Sequence, residues 1–176
     1  MASKAIAIVL EEKVQGTVGR MEHLVLLVPA DRLNWRPGPG NEEVREVIDL
    51  GHLLGHLLDC VAGFCAAFLA AYPEELAEFV KLKSERVNHF CTPAEWKERI
   101  GIYKEGIAKG FQLCTDEDLK RPIATVFMPQ GEVLGSILLN NLEHLVNHKY
   151  QVFFYLRLLG VPVGTEDLYD LKKGPR

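Results

Sequence analysis

Two of the six histidines in this 176-residue chain, His144 and His148, stand four residues apart in an apolar stretch near the C-terminus. Residues four apart share one face of an α-helix, so the pair can offer two ring nitrogens to a single metal ion from a rigid support. At about 100° per residue, Asn141, His144, His148, Gln151 and Tyr155 form one polar stripe beside the apolar row Leu134, Leu138, Leu145, Val152 and Leu156. Imidazoles flanked by an amide and a phenol at a core edge are what metal ligands with supporting hydrogen bonds look like. They are also what a hydrogen-bonded crevice in a helical bundle looks like.

A third nitrogen has to come from another element. His52 and His56 lie on the narrow non-apolar stripe of a second helix, with Asp49, Asp59 and Gly63, and either could complete the set. Three neutral imidazoles plus solvent make an open site, the catalytic rather than the structural pattern. His23 and His89 lack such company and read as surface or loop residues. Asp59 and Glu143 neighbour the histidines; each could orient a ligand, and each reads first as a solvated carboxylate. No His-Glu-x-x-His, nucleophile elbow, phosphate loop or dinucleotide-binding glycine motif occurs, which removes the usual support for those chemistries.

The elements that must position these residues are legible as periodicity. Ile6, Val9, Leu10, Val14, Val18, Met21, Leu24 and Val25 recur at helical steps, predicting a first helix over 3–28 that ends at Pro29. The loop around Trp35, Pro37 and Pro39 follows, with the tryptophan read as its anchor on the core. A second helix is predicted over 42–71, so broadly apolar that a bundle or a partner subunit must cover it. A short helix is read over 74–83. Thr92, Pro93 and Glu95 announce a third long helix as cap, first residue and capping box, running to about 114. Thr115 to Asp118 read as a turn, and a small β-hairpin or extended excursion is expected near 122–133. The last long helix covers 134–159 and stops at Gly160; the tail at 165–172 makes one or two exposed turns. The fold class is therefore all-α, a four-helix bundle with long connections, in one domain over 1–176.

Composition bounds the function. With 20 Lys+Arg against 24 Asp+Glu, a formal net charge of −4 and 48% hydrophobic residues, the chain is an ordinary globular protein without the basic footprint of a nucleic-acid binder. Cys60, Cys65, Cys91 and Cys114 form no Cys-x-x-Cys pair and read as reduced thiols, the first two packed in a helix. The charged N-terminus is wrong for a signal peptide, and apolar runs such as Val61 to Ala71 fall short of the roughly 20 residues that span a bilayer. The expectation is a cytoplasmic protein without a membrane partner.

Three blocks, in order along most of the chain, resemble the DinB/YfiT-like superfamily of metal-dependent four-helix-bundle proteins. They are Leu33-Asn34-Trp35-Arg36-Pro37-Gly38, the Leu50-Gly51-His52-Leu53-Leu54-Gly55-His56-Leu57 block, and His144-x-x-x-His148-Lys149-x-Gln151 with its Tyr155-Leu-Arg-x-x-Gly160-x-Pro162 ending. Carried over residue by residue, the resemblance implies a metal triad of His56, His144 and His148. Lys149 stands where the family usually has arginine, and the spacing from Trp35 to His56 exceeds the usual one, which keeps His52 as a rival. The resemblance further implies a divalent ion, zinc or nickel, and a homodimer. It also implies a thiol S-transferase or hydrolase acting on a small-molecule thiol or electrophile, with Gln151 and Tyr155 orienting ligands or substrate. The alternative is a non-catalytic metal- or ligand-binding dimer with a stress-related role.

Overall fold

Each long helix begins or ends on a local chemical cue. α1 (Ala5–Leu26) starts where Asp116, from a distant turn, accepts from the Ile6 and Ala7 amides at 3.0 Å and from the Ser3 hydroxyl. A carboxylate there satisfies amides that have no partner within the helix and faces the positive end of its dipole. These bonds, Ser3's foremost, hold the Asp116 carboxyl below the usual carboxylate range. α2 (Leu50–Ala71) is capped by Asp49, which accepts from the His52 amide at 2.9 Å. The Leu50 and Gly51 amides bond to the carbonyls of Trp35 and Leu33 at 3.0 and 2.8 Å, stitching the tryptophan loop to the start of the helix. α3 (Pro93–Leu113) has Pro93 in its first turn, and its Thr92 cap accepts from the Glu95 amide at 3.2 Å, as expected from the sequence.

The computed structural model describes residues 2–38, 47–84, 89–125 and 129–169. Between the helices lie short 3-10 turns at Ala30–Arg32, Ala77–Ser84 and Asp118–Lys120. A two-stranded antiparallel hairpin pairs β1 (Pro122–Ile123) with β2 (Glu132–Val133) in the register Pro122 to Val133. α4 (Leu134–Leu158) ends with the Val161 amide on the Leu156 carbonyl and the Gly160 amide on the Arg157 carbonyl. This double closure needs the left-handed conformation that Gly160 adopts, φ 78°. A single turn, α5 (Thr165–Leu168), follows.

α2 packs against α3 and α4, and α1 packs against the same two, so α1 and α2 sit diagonally in a four-helix bundle. The core is continuous from Val14 to Val25 on α1 through the whole inner face of α2 to Leu134–Leu156 on α4. The all-α fold with a hairpin near 122–133 is as expected from the sequence.

Several expectations are corrected. α2 begins at Leu50: Asp49 is extended, and 39–46 lie outside the described residues. Ile6 and Val9, expected on the buried face with Val14, are 61% and 66% exposed; Ala7 and Thr17 join Val14 on that face in their place. Of the two covers expected for the apolar girth of α2, the bundle supplies one, through α3, α4 and the Ala77–Ser84 turn. α2 is also 22 residues long and, by length and composition, apolar enough to cross a membrane, with 67% of its most apolar stretch buried inside the fold. The sequence reading weighed only the shorter run Val61 to Ala71, and a buried core helix passes the same test of length and composition. The tail is tied down: buried Lys149 donates to the Leu168 carbonyl at 2.8 Å, and His23 lies 2.6 Å from Asp167.

Close approach across α2 depends on two glycines. The segment 89–91 runs along the first turns of α2, with the Cys91 amide on the Gly51 carbonyl at 2.9 Å. A Cβ on Gly55 would lie 1.6 Å from the His89 carbonyl oxygen, and one on Gly51 would meet the Phe90 ring at 2.4 Å. Gly101, on the exposed face of α3, has nothing within 4 Å. Gly55→Ala is expected to lower unfolding free energy by at least about 2 kcal/mol, since backbone has to move. Gly101→Ala should raise it by about 0.5–1 kcal/mol by removing unfolded-state freedom. Urea denaturation of the two variants checks both signs.

Candidate metal centre

α2 and α4 run antiparallel. Positions 48, 56 and 63 on the first side meet 155, 148 and 141 on the other, through the Tyr155 hydroxyl on the Ile48 carbonyl, His56 on His148, and Gly63 under the Asn141 amide. Helical spacing presents His144 and His148 on one face of α4, and the pairing sets His56 opposite both. His56 Nε2 lies 3.2 Å from His144 Nε2 and 3.0 Å from His148 Nε2. The rings are tilted or edge-on to one another, with centroids 4.4–5.2 Å apart.

Those distances carry chemical meaning. Two imidazole nitrogens bound to one tetrahedral zinc at about 2.05 Å lie about 3.3 Å apart, close to the two separations that His56 makes. Without a cation between the rings, His56 Nε2 carries at most one proton, which cannot be shared well between two nitrogens in different directions. The residues present therefore fit a divalent ion. His144 is exposed, and His56 and His148 are half-buried, so the cluster opens to solvent on the His144 side.

The tautomer of His148 follows from its partners. A carbonyl oxygen only accepts, so Ile48 takes the Tyr155 hydroxyl proton at 3.1 Å. That hydroxyl in turn accepts from Gln151 Nε2 at 3.1 Å, which turns Gln151 Oε1 toward His148 Nδ1 at 2.8 Å. Nδ1 must carry the proton, and Nε2 keeps its lone pair for the cluster. Burial, reinforced by His56 and His144 and opposed by the Gln151 hydrogen bond, holds His148 below the ordinary histidine value, favouring the neutral ligating form. Trp35 packs edge-on against Tyr155 with centroids 5.4 Å apart, so the anchored loop braces the far end of this relay.

The other candidates are placed elsewhere. His52 points its Nδ1 at Asp49, at 2.9 and 3.0 Å, and packs on Phe90, outside the cluster. Between the two histidines of α2, the geometry joins His56 to the α4 pair. Glu143 is exposed and Asp59 half-buried; neither belongs to the group of converging atoms. His23 and His89, read from sequence as lacking company, each contact a carboxylate. His89 Nε2 lies 2.6 Å from Glu95 and, with Cys91, forms a second group whose ligand atoms lie within 4.8 Å of one another. Glu95 thus leaves the expected capping box half-made. Its carboxylate serves His89 and Arg99 instead, and these hold it below the usual range although burial pushes it up.

Cys60 is the residue that the sequence reading missed. Its sulfur and one nitrogen from each of His56, His144 and His148 all lie within 4.8 Å of one another. The signal was available: Cys60 follows His56 by four, the same spacing as His144 and His148. Burial, with Asp59's charge adding, pushes its thiol up to about 12. Comparison with protein-family models, with curated proteins and with solved structures found no match.

Gln151→Ala removes the acceptor that fixes the His148 tautomer while leaving all three imidazoles. Zinc affinity, read by competition with a chromogenic chelator, is expected to fall roughly 10- to 100-fold with little change in melting temperature. Unchanged affinity would mean that the relay only packs.

Proposed function

We propose that this protein is a metal-dependent enzyme of the DinB/YfiT-like kind, binding a divalent zinc or nickel ion on His56, His144 and His148. Its chemistry would be thiol S-transfer or hydrolysis on a small-molecule thiol or electrophile. The observation that carries the reading is the convergence of three imidazoles from two antiparallel helices, with His56 Nε2 at 3.2 and 3.0 Å from the Nε2 atoms of His144 and His148. When bound, such an ion lowers the pKa of a ligated thiol or water so that a nucleophile exists at neutral pH.

The chain's own residues do the rest. Gln151 and Tyr155 act as positioning groups: they hold His148 in the ligating tautomer, and the buried Tyr155 hydroxyl is engaged on both sides. Exposed His144 leaves the approach for a substrate. The reading extends to a single domain in the cytoplasm, without nucleic-acid or membrane partners, which the four free thiols and the net charge of −4 support. It extends also to a homodimer, for which exposed Leu139, Tyr150, Phe154 and Leu158 on α4 supply apolar surface.

A second reading, a non-catalytic metal- or ligand-binding dimer with a stress-related role, is favoured by Cys60, since a fourth protein ligand makes a closed, structural kind of site. Protein purified without a histidine tag is expected to carry about one ion per chain by elemental analysis under the three-imidazole reading. His56→Ala and His148→Ala should abolish it, and His52→Ala should retain it. Turnover on a panel of thiols with alkyl and acyl electrophiles should disappear with the metal. Stoichiometric metal without turnover favours the second reading, and turnover retained by metal-free His148→Ala overturns the first.

A further inference from the structure

Two i, i+4 pairs face each other across the α2–α4 interface: His56 with Cys60, and His144 with His148. We propose that Cys60 is the fourth protein ligand, giving the centre one thiolate and three imidazoles and making it selective for a thiophilic ion, zinc above all. This rests on the three-histidine metal site and, because it fills the fourth position, favours the closed, non-catalytic form of that site over the open one.

The geometry supports the assignment in three ways. A thiolate and an imidazole nitrogen on one tetrahedral zinc lie about 3.6 Å apart. The Cys60 sulfur is within 4.8 Å of the cluster's nitrogens, so each sulfur–nitrogen distance exceeds that spacing by at most about 1.2 Å. The other three thiols each rest on a backbone carbonyl: Cys65 on Tyr103 at 3.4 Å, Cys91 on Thr92 at 3.3 Å and Cys114 on Thr115 at 3.6 Å. Cys60 instead shares its neighbourhood with three ring nitrogens. It is also only 6% exposed, on the core side of a cluster whose His144 side is open, so the sulfur approaches the ion from the face opposite solvent.

Binding is balanced simply: the sulfur–metal bond forms, and the thiol proton is released to solvent, one per ion bound. Soft sulfur in the donor set disfavours magnesium, calcium and manganese relative to zinc. The second group, His89, Cys91 and Glu95, is the rival location for a thiolate–metal bond, and Arg99 already holds a cation 3.4 Å from Glu95 there.

The test is titration of the metal-free protein with cobalt(II), followed by optical absorption, for wild type, Cys60→Ser, Cys60→Ala, Cys91→Ser and His148→Ala. The expected result is a near-ultraviolet thiolate-to-cobalt band in wild type and Cys91→Ser that is absent from both Cys60 variants. The visible ligand-field bands persist in those variants, which shows that they fold and still bind. Zinc affinity should drop more than about 100-fold in Cys60→Ser, beyond the roughly 10- to 100-fold that loss of a supporting neighbour brings, and zinc-over-manganese selectivity should shrink with it. Ligand-field bands without the thiolate band in wild type overturn the role of Cys60 and leave the three histidines standing. A thiolate band lost in Cys91→Ser but kept in Cys60→Ser overturns it in favour of the other group. Failure of wild type to bind, or binding indifferent to His148→Ala, overturns both proposals.

Discussion

Everything at the centre depends on how closely α2 and α4 approach. Two antiparallel helices bring His56 Nε2 to 3.2 and 3.0 Å from the Nε2 atoms of His144 and His148, separations at which unshared lone pairs repel unless a proton or a cation lies between them. The packing that enforces it is apolar and continuous: Leu50, Leu53, Leu54, Leu57 and Leu58 on one helix, and Leu138, Leu145, Val152 and Leu156 on the other, all with no exposed surface. Fully burying one such side chain stabilises by about 1.5–3 kcal/mol, so the interface can hold polar groups at an uncomfortable distance. A short polar stripe is carried on a long hydrophobic one.

How much of this was legible in the sequence differs by kind of interaction. Helical periodicity identified four long helices, and cap chemistry located the start of α3 and the end of α4, because those signals are local. His144 and His148 were legible for the same reason. The choice between His52 and His56 was not, since both lie on one stripe of α2. It depends on Asp49, which caps the helix and also takes the His52 ring, a tertiary detail without a periodic signature. Cys60 was hidden by its own chemistry: cysteine on an apolar helix counts as a small hydrophobe, and only the opposing helix gives it another meaning.

The remaining misreadings share a cause. The start of α2, the first turn of α1 and the tail at 165–169 are all governed by residues distant in sequence. Asp116 holds the start of α1, the carbonyls of Leu33 and Trp35 hold the start of α2, and Lys149 and His23 hold α5. The alternation of Gly51 and Gly55 with His52 and His56 is similarly two-sided. The glycines admit the 89–91 segment on one side of the helix, while His56 reaches α4 on another, so one eight-residue block serves two neighbours.

The relay behind His148 ends on the Ile48 carbonyl, a main-chain atom. Its last partner is therefore not encoded by any side chain. Position 48 can change identity across a lineage without altering which nitrogen of His148 carries the proton, provided the chain path before α2 is preserved. The memory of the site's protonation pattern is stored in backbone geometry, where point substitution at that position does not reach it.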